Sequence, residues 1–234
     1  MDSSFAQGGV ALLDGEQVVA RSDFAGSEGH VALLPRRVDQ LLAQSGWHPR
    51  EVERIGVTLG PGSFSGARIA LGLAKGLALA FGAPVFGWTT LEVVAAGAGC
   101  TGAVAAVLDA RRGEVYAGIY EMRIGCDPVE RLAPGVWEPG ALVERLIAWQ
   151  QEHGPEPLHL TGDGLAVWGE RFLTLGDHPI KPVAPESWPL DVVQLGRMTA
   201  RHAAAPRMPI EALEPVYVRK ADAKEPADRM TGLS

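Results

Sequence analysis

Apolar and polar positions along the first hundred residues predict alternating strands and helices. Residues Val10–Phe24 alternate around an Asp14-Gly15 turn, a pattern that predicts a β-hairpin. Apolar residues recur at helical spacing over Val31–Leu42 and predict an amphipathic helix. The short apolar run Ile55–Leu59 predicts a buried strand, and a glycine-rich turn joins it to a long helix predicted over Ala67–Phe81. This stretch is therefore predicted to form an α/β unit.

The order of elements restarts in the second half of the chain. Ala103–Leu108 predicts an apolar strand, and an Asp-led turn joins it to a second strand over Glu114–Glu121. Leu158–Thr161 then leads through a Gly-Asp-Gly turn into a helix, which repeats the strand, glycine turn and helix of the first half. The repeated order predicts two tandem α/β domains, residues 1–100 and residues 101–234, the second ending in a polar tail.

The predicted helix Ala67–Phe81 is apolar almost all round, and a helix of this kind must be covered on more than one side. Its small residues form two ladders at four-residue spacing, Ala70-Ala74-Ala78 and Gly72-Gly76-Ala80, which let another helix approach closely. We expect it to pack against a second chain through Arg68, Ala70, Leu71, Ala74, Lys75 and Ala78. Lys75 and the glycines argue against a membrane span, which needs roughly 20 apolar residues.

Composition and charge narrow the functional classes. The net charge of −7 argues against unaided binding of nucleic acid, because phosphate neutralisation dominates such binding. Basic residues adjoin only in short pairs: Arg36-Arg37, Arg111-Arg112 and Arg219-Lys220. Cys100 and Cys126 are too few for a disulfide framework or a zinc site, and no signal peptide is evident, so we expect the reducing cytoplasm.

The turn before the long helix is the first candidate for chemistry. It consists of Gly60, Pro61, Gly62, Ser63, Phe64, Ser65 and Gly66, and we call it the signature turn. It is not a Walker loop, because no Lys-Ser or Lys-Thr follows its last glycine. One interpretation is an anion site at the helix N-terminus, with Arg68 one turn in. The other is a strand-to-helix turn capped by Ser63 or Ser65.

Five motifs in the same order resemble the bacterial TsaB family, also called YeaZ. They are GPGSFSGARI, GWTTLE, DARRGEVY, the GDG turn and PVYVR, and the resemblance runs from Asp2 to about Lys224. It implies an actin-like, ribonuclease-H-like pair of α/β domains. It also implies a non-catalytic partner subunit in tRNA modification, needed for transfer of a threonylcarbamoyl group to the adenosine beside the anticodon of ANN-decoding tRNAs.

The resemblance further implies the partners. This subunit would pair with a TsaD-like catalytic sister, or with its own copy, and a TsaE-like accessory ATPase would dock on the pair. ATP and magnesium would belong to those partners, tRNA would be met through the complex, and no membrane would be involved. The sister subunit has a His-x-x-x-His metal motif. No two of the six histidines here lie three or four residues apart, so we expect no metal site in this chain. Ser63 and Ser65 have no G-x-S-x-G elbow around them, and we expect no catalytic residue.

A rival interpretation is an actin-like phosphotransferase or ATPase that uses nucleotide. Asp2, Asp109 and Asp163 stand where such folds place metal and phosphate contacts, although Asp also forms turns by bonding its own backbone. We assign a candidate cleft to Asp109, Arg111, Arg112, Glu114, Gly162, Asp163 and Gly164. For the arginines and Glu114, an ion-paired hairpin is the alternative.

The N-terminus departs from the family pattern. Members usually have an apolar strand before an Asp-x-Ser segment, and this chain begins at that Asp, Asp2. The first strand of the first domain is therefore expected to be missing. We expect a start codon placed too late, because a sheet without its central strand leaves backbone groups unpaired. True absence of the strand is the alternative.

Overall fold

The computed structural model describes residues 1–4, 7–25, 30–173, 178–202 and 209–218. These residues form nine strands and six α-helices, in addition to short 3₁₀ turns. The strands are β1 Gln7–Asp14, β2 Gln17–Ala25, β3 Ile55–Thr58, β4 Val85–Trp88, β5 Gly102–Arg111, β6 Glu114–Met122, β7 Val129–Trp137, β8 Leu158–Thr161 and β9 Ile180–Pro182. The helices are α1 His30–Ser45, α2 Phe64–Phe81, α3 Thr90–Ala96, α4 Pro139–His153, α5 Gly164–Leu173 and α6 Val192–Arg201. Arg219 and the polar tail after it lie outside the described residues.

The strands of the first half form two separate pairs. β1 and β2 make the predicted antiparallel hairpin, with Asp14 opposite Gln17 at its turn. β3 and β4 pair in parallel, and no hydrogen-bonded ladder joins them to β1 or β2 in the part of the chain that is described. The N-terminal residues lie between the two pairs, where Asp2 exchanges two backbone hydrogen bonds of 2.9 Å with Gly9. Within the described residues, Asp2 and Gly9 form an isolated antiparallel bridge outside the nine strands.

The second half has one continuous sheet of five strands in the order β7-β6-β5-β8-β9. Its central strand β5 is antiparallel to β6 and parallel to β8. Residues 104–107 of β5 are fully buried because helices cover both faces of this sheet. The restart of strands near Ala103 agrees with the sequence pattern. The boundary at residue 100 stays a prediction, and α6, which lies beyond it, packs against β1 and β3.

Helix α2 packs on strands of the first half with one face and exposes the other face to solvent. It begins at Phe64, slightly before the predicted start, because the Ser63 side chain accepts a hydrogen bond from the Gly66 N–H and caps the first turn. It ends at Gly82, whose φ of 76° is the left-handed conformation that glycine adopts easily. One face of α2 packs on β3, β4 and α1. The next helix, α3, starts with the predicted capping box between Thr89 and Glu92.

Candidate functional site

The signature turn is built by close backbone contact with the N-terminal residues. The Ser63 N–H donates to the Ser4 carbonyl at 2.6 Å. A Cβ placed on Gly66 would lie 1.8 Å from the carbonyl oxygen of Ser3, so only glycine fits there. The N–H groups of Gly66 and Ala67 bond to the side chain and the carbonyl of Ser63. These contacts support the capped-turn interpretation, with Ser63 as the cap and Ser65 inside the helix.

Two of the other recognised motifs bond to the start of this turn. The Thr90 N–H of the GWTTLE motif donates to the Gly60 carbonyl at 2.8 Å. The Val216 N–H of the closing PVYVR motif donates to the Leu59 carbonyl at 2.7 Å. Gly60 has a φ of 97°, and a Cβ there would lie 3.0 Å from the Val216 carbonyl oxygen. The turn therefore joins the end of β3 to two segments that are distant in sequence.

The signature turn faces the DARRGEVY turn across a cleft of about 500 Å³. Arg111 and Arg112 line this cleft, together with Tyr116 of β6. Both arginines have left-handed backbone conformations, with φ values of 61° and 57°, which are uncommon outside glycine. The structure thus brings the two predicted arginines to the signature turn. Glu114 lies half-buried at the start of β6, and it is not among the residues that line the cleft.

An aromatic cluster around Arg68 forms one rim of the cleft. The Arg68 Nε donates to the hydroxyl of Tyr217 at 2.8 Å, and its guanidinium carbon lies 3.7 Å from the centre of the Phe64 ring. The rings of Phe64 and Tyr217 are 5.3 Å apart, and about half of each side chain is exposed. Sequence reasoning missed Tyr217, because its partner is 149 residues away and no local pattern connects them.

Asp109 and Asp163 lie near the ends of β5 and β8, which are neighbouring strands of the second-half sheet. The Asp109 N–H donates to the Asp163 carboxylate at 3.1 Å, and Asp109 itself accepts from the Arg111 N–H at 3.0 Å. Burial raises the pKa of Asp163, and the nearby charge of Asp109 acts in the same direction. Gly162 has a φ of 113°, and a Cβ there would lie 2.0 Å from the Val107 carbonyl oxygen. These contacts match the turn-forming role of the aspartates.

Asp2 has a comparable role at the N-terminus. It is fully buried, and one carboxylate oxygen accepts hydrogen bonds from the Ser4 N–H and the Thr58 hydroxyl. The Ser4 and Thr58 hydroxyls also bond each other at 3.0 Å. Across the described ranges, no group of three or more His, Cys, Asp or Glu side chains is placed to hold a metal ion.

The outward face of α2 differs from the one that we expected. Ala70, Leu71, Ala74 and Ala78 are at most 4% exposed and belong to the chain's own core, so the expected contact of these four with a second chain is corrected. Arg68 is exposed and Lys75 is half-buried. The second ladder of small residues points outward instead. We define the outward face of α2 as Gly72, Gly76, Leu79 and Ala80, all of which are exposed.

The first ladder is buried because the helix face that holds Ala70, Ala74 and Ala78 packs on β3 and α1 of the same chain. A Cβ added to Gly72 or to Gly76 would meet no atom within 4 Å, and Leu79 is 78% exposed. By length and composition, α2 is the single helix in the described residues that could cross a membrane, and a third of it is buried in the chain. Core helices of soluble proteins also meet these two criteria, so one such helix is weak evidence of a membrane span.

Comparison with known proteins places these features in one family. The family model "TsaD: tRNA N6-adenosine threonylcarbamoyltransferase" matches residues 25–133. The tRNA threonylcarbamoyladenosine biosynthesis protein TsaB of Escherichia coli K12 is 31% identical over 223 residues, which are 90% of this chain and 89% of that protein. TsaB of Bacillus subtilis 168 is 34% identical over 135 residues, which are 57% of this chain and 58% of that protein.

Two solved structures of YeaZ-like proteins resemble this chain along most of its length. YeaZ from Pseudomonas aeruginosa superposes with a TM-score of 0.74 and 27% identity, covering 92% of this chain and 96% of that chain. A second crystal structure, of an uncharacterized protein with similarity to peptidase YEAZ from the same organism, gives a TM-score of 0.76 at 27% identity and covers 93% and 97% of the two chains. The agreement confirms the predicted α/β fold. Similarity to the E. coli protein along nine-tenths of the sequence shows that this chain belongs to the TsaB family.

Proposed function

We propose that this chain is the non-catalytic partner subunit in biosynthesis of threonylcarbamoyladenosine in tRNA, the process for which its TsaB relatives are named. A TsaD-like sister subunit transfers the threonylcarbamoyl group to the adenosine beside the anticodon of ANN-decoding tRNAs, and this chain supports it by docking. The match of a TsaD family model to residues 25–133 supports a pair of related folds. The complex works in the cytoplasm, and a TsaE-like ATPase docks on the pair.

The outward face of α2 is the observation that carries the proposal. An exposed glycine in the middle of a helix costs the isolated chain about 0.5–1 kcal/mol relative to alanine. Gly72 and Gly76 both bear this cost, although no neighbouring atom in the described residues requires glycine at either position. Two glycines and an exposed Leu79 on one helix face suit the close approach of a second helix. The cost is offset when a partner packs against them.

The aspartates and the charge of the chain support a docking role. Asp2, Asp109 and Asp163 each accept a hydrogen bond from a backbone N–H group, of Ser4, Arg111 and Asp109 respectively, which is a structural use of these carboxylates. A net charge of −7 is unfavourable for gripping phosphates directly, so tRNA is reached through the complex. The chain also associates with its own copy through the same face, because an isologous contact can form between identical helices.

The test reconstitutes tRNA modification from purified components. The mixture contains the TsaD-like subunit, the TsaE-like ATPase, a threonylcarbamoyl-adenylate source and tRNA, with and without this chain, and modified nucleoside is measured. Leu79→Glu should abolish both product and co-elution with the TsaD-like subunit. Val167→Glu is the matched control, because Val167 is an apolar residue of α5 that is 58% exposed, and it should behave as wild type. Full activity of Leu79→Glu would refute docking through α2.

A nucleotide-dependent phosphotransferase or ATPase is the second candidate. The cleft of about 500 Å³ beside Arg111 and Arg112 favours it, because arginines recognise phosphate groups. Calorimetry of the isolated chain with ATP and magnesium separates the two functions. Binding at micromolar concentration that is lost in Arg112→Ala would support the second candidate. No heat of binding together with full activity in the reconstituted mixture would support the partner subunit.

A further inference from the structure

A cavity of about 520 Å³ lies at the end of the five-stranded sheet where β5 begins and β6 ends. The connection from α3 to β5 lines one part of it, and the turn that follows β6 lines another. Both cysteines of the chain, Cys100 and Cys126, are among the residues that line this cavity, and we call it the thiol cavity. It shares no lining residue with the cleft beside the signature turn, so it is a separate feature of the molecule.

Strand pairing brings the two cysteines to the same place although they are distant in sequence. Gly102 at the start of β5 lies opposite Met122 at the end of β6. The segment that enters β5 and the segment that leaves β6 are therefore neighbours, because antiparallel partners lie about 5 Å apart. A turn then folds the chain back after β6, in which the Cys126 N–H donates to the Arg123 carbonyl at 3.1 Å. Since the ends of such a turn lie within about 7 Å of each other, Cys126 stays close to the strand end.

The turn that holds Cys126 is anchored to the C-terminal end of α6. The Arg201 guanidinium donates to the Cys126 carbonyl at 3.1 Å. The imidazole Nε2 of His202 and the carboxylate of Asp127 bond each other at 2.5 Å. These two contacts fix the backbone at Cys126 and at the residue after it, and they keep the cysteine at the thiol cavity.

Each cysteine directly follows a glycine in the left-handed conformation. The φ values are 68° at Gly99 and 70° at Gly125, and a Cβ on either residue would meet no atom within 4 Å. Glycine adopts these conformations without strain and leaves the backbone free to rotate. The two thiols are not bonded to each other in this structure. Rotation at the two glycines lets the cysteine segments move toward each other, which the strict geometry of a disulfide requires.

The two thiols differ in exposure. Cys126 is exposed, so an oxidant in solution reaches it first, whereas Cys100 is half-buried. Burial raises the pKa of the Cys100 thiol, which keeps it protonated and slow to react with an oxidant by itself. His159 also lines the thiol cavity, but across the described ranges no group of three or more His, Cys, Asp or Glu side chains is placed to hold a metal ion. The cavity thus offers one accessible thiol and one protected thiol.

From the shared cavity, the strand pairing and the unequal exposure, we propose that Cys100 and Cys126 form a reversible oxidation site for hydrogen peroxide or an organic hydroperoxide. The Cys126 thiolate attacks a peroxide oxygen: an S–O bond forms, the O–O bond breaks, and the leaving oxygen takes up the thiol proton. The Cys100 thiolate then attacks the sulfur of the Cys126 sulfenic acid, so that the S–S bond forms, the S–O bond breaks and hydroxide leaves as water with the second thiol proton.

The electrons and protons of this reaction balance. The two thiols lose two electrons and two protons, and the hydroperoxide gains both and becomes two molecules of water, or one of water and one of alcohol. A dithiol reductant regenerates the two thiols by thiol–disulfide exchange. The oxidation site does not involve the docking face on α2 and goes beyond the proposed function.

The test treats the full chain at low micromolar concentration with hydrogen peroxide, blocks the remaining thiols with N-ethylmaleimide and measures the intact mass. We expect the mass to fall by about 2 Da with no thiol left to block, and dithiothreitol to restore both thiols. Digestion with trypsin without reduction should give one cross-linked pair of peptides, residues 76–111 joined to residues 124–131. The rate of bond formation should not depend on protein concentration, because the bond forms within one chain.

Two variants separate the roles of the thiols. Cys126→Ser removes the exposed thiol, and Cys100 should then remain an unmodified thiol under the same treatment. Cys100→Ser is the matched control, because it removes the protected thiol and keeps the exposed one. In that variant Cys126 should stop at the sulfenic acid, which dimedone traps, and the cross-linked peptides should be lost completely.

Two results would overturn the proposal. Wild-type chain in which Cys126 goes on to sulfinic acid while Cys100 remains a thiol would show that the two sulfur atoms do not meet. A disulfide between two chains, seen as a dimer on a non-reducing gel in place of the mass loss within one chain, would show that Cys126 reacts only from the surface. Neither result depends on tRNA modification, so the oxidation site and the proposed function are tested separately.

Discussion

Replacement of Gly72 and Gly76 by alanine should have opposite effects on stability and on partner binding. Both residues lie in the middle of α2, and an added Cβ meets no atom within 4 Å. Each Gly→Ala change should therefore stabilise the isolated chain by about 0.5–1 kcal/mol, because alanine loses less backbone entropy in a helix. The double variant gains about 1–2 kcal/mol. For a chain of this size, that corresponds to a Tm rise of about 2–8 °C.

The same two methyl groups should weaken the complex. They occupy the face against which a partner helix would approach, and overpacking of a close contact costs about 1–3 kcal/mol. Since about 1.4 kcal/mol corresponds to a tenfold change in affinity, Kd for the TsaD-like subunit should rise by roughly fivefold to a hundredfold or more.

The assay pairs thermal unfolding, followed by circular dichroism, with calorimetric titration of the TsaD-like subunit. Gly169→Ala is the matched control, because Gly169 lies in α5 and also has no atom within 4 Å of an added Cβ. It should raise Tm and leave Kd unchanged. A double variant that gains stability and binds as tightly as wild type would refute docking through the outward face of α2. A lower Tm would refute the helical environment assigned to the two glycines.

Three further predictions concern stability. Ala74→Glu should destabilise the chain by more than about 3 kcal/mol in chemical denaturation, because it places a charge at a fully buried site, whereas Gly76→Glu should change stability by about 0.5 kcal/mol or less. Asp163→Asn should stabilise the chain at pH 7. Because the pKa of Asp163 is raised on folding, the folded state keeps a proton that the unfolded state loses above about pH 3.8, and the wild type therefore loses stability as pH rises through that range. In denaturation at acid pH, the advantage of Asn should vanish. In the 234-residue chain, burial lowers the pKa of the Met1 amino group to about 6. The free energy of unfolding should therefore rise by about 2–3 kcal/mol from pH 6 to pH 8, because the unfolded state binds more protons in that range. N-terminal acetylation should abolish this rise when denaturation is measured at a series of pH values.

Local elements were predictable because their causes lie within a few residues. The Asp14-Gly15 turn, the capping box from Thr89 to Glu92 and the end of α2 at Gly82 each depend on neighbouring backbone groups, and each is present. The motifs that resemble the TsaB family were also readable. Their convergence on the signature turn depends on contacts such as that between Val216 and Leu59, which no local pattern contains.

The inward face of α2 was decided by tertiary packing. Both small-residue ladders satisfy the same helical spacing, so the sequence alone could not tell which one would cover β3 and α1. The folded chain buries Ala74 and leaves Gly76 exposed, and Leu71 is buried together with Ala74, which removes its apolar side chain from water. The pairing of Arg68 with Tyr217 has the same origin, since it joins residues 149 positions apart.

The sequence by itself determined the α/β class, the family and the long apolar helix, because strand and helix periodicity and turn chemistry are properties of adjacent residues. Only the tertiary structure decided which face of that helix remains open and where the first-half sheet is split. Those outcomes depend on which surfaces from distant parts of the chain compete for the same place, and such competition is settled when the elements pack together.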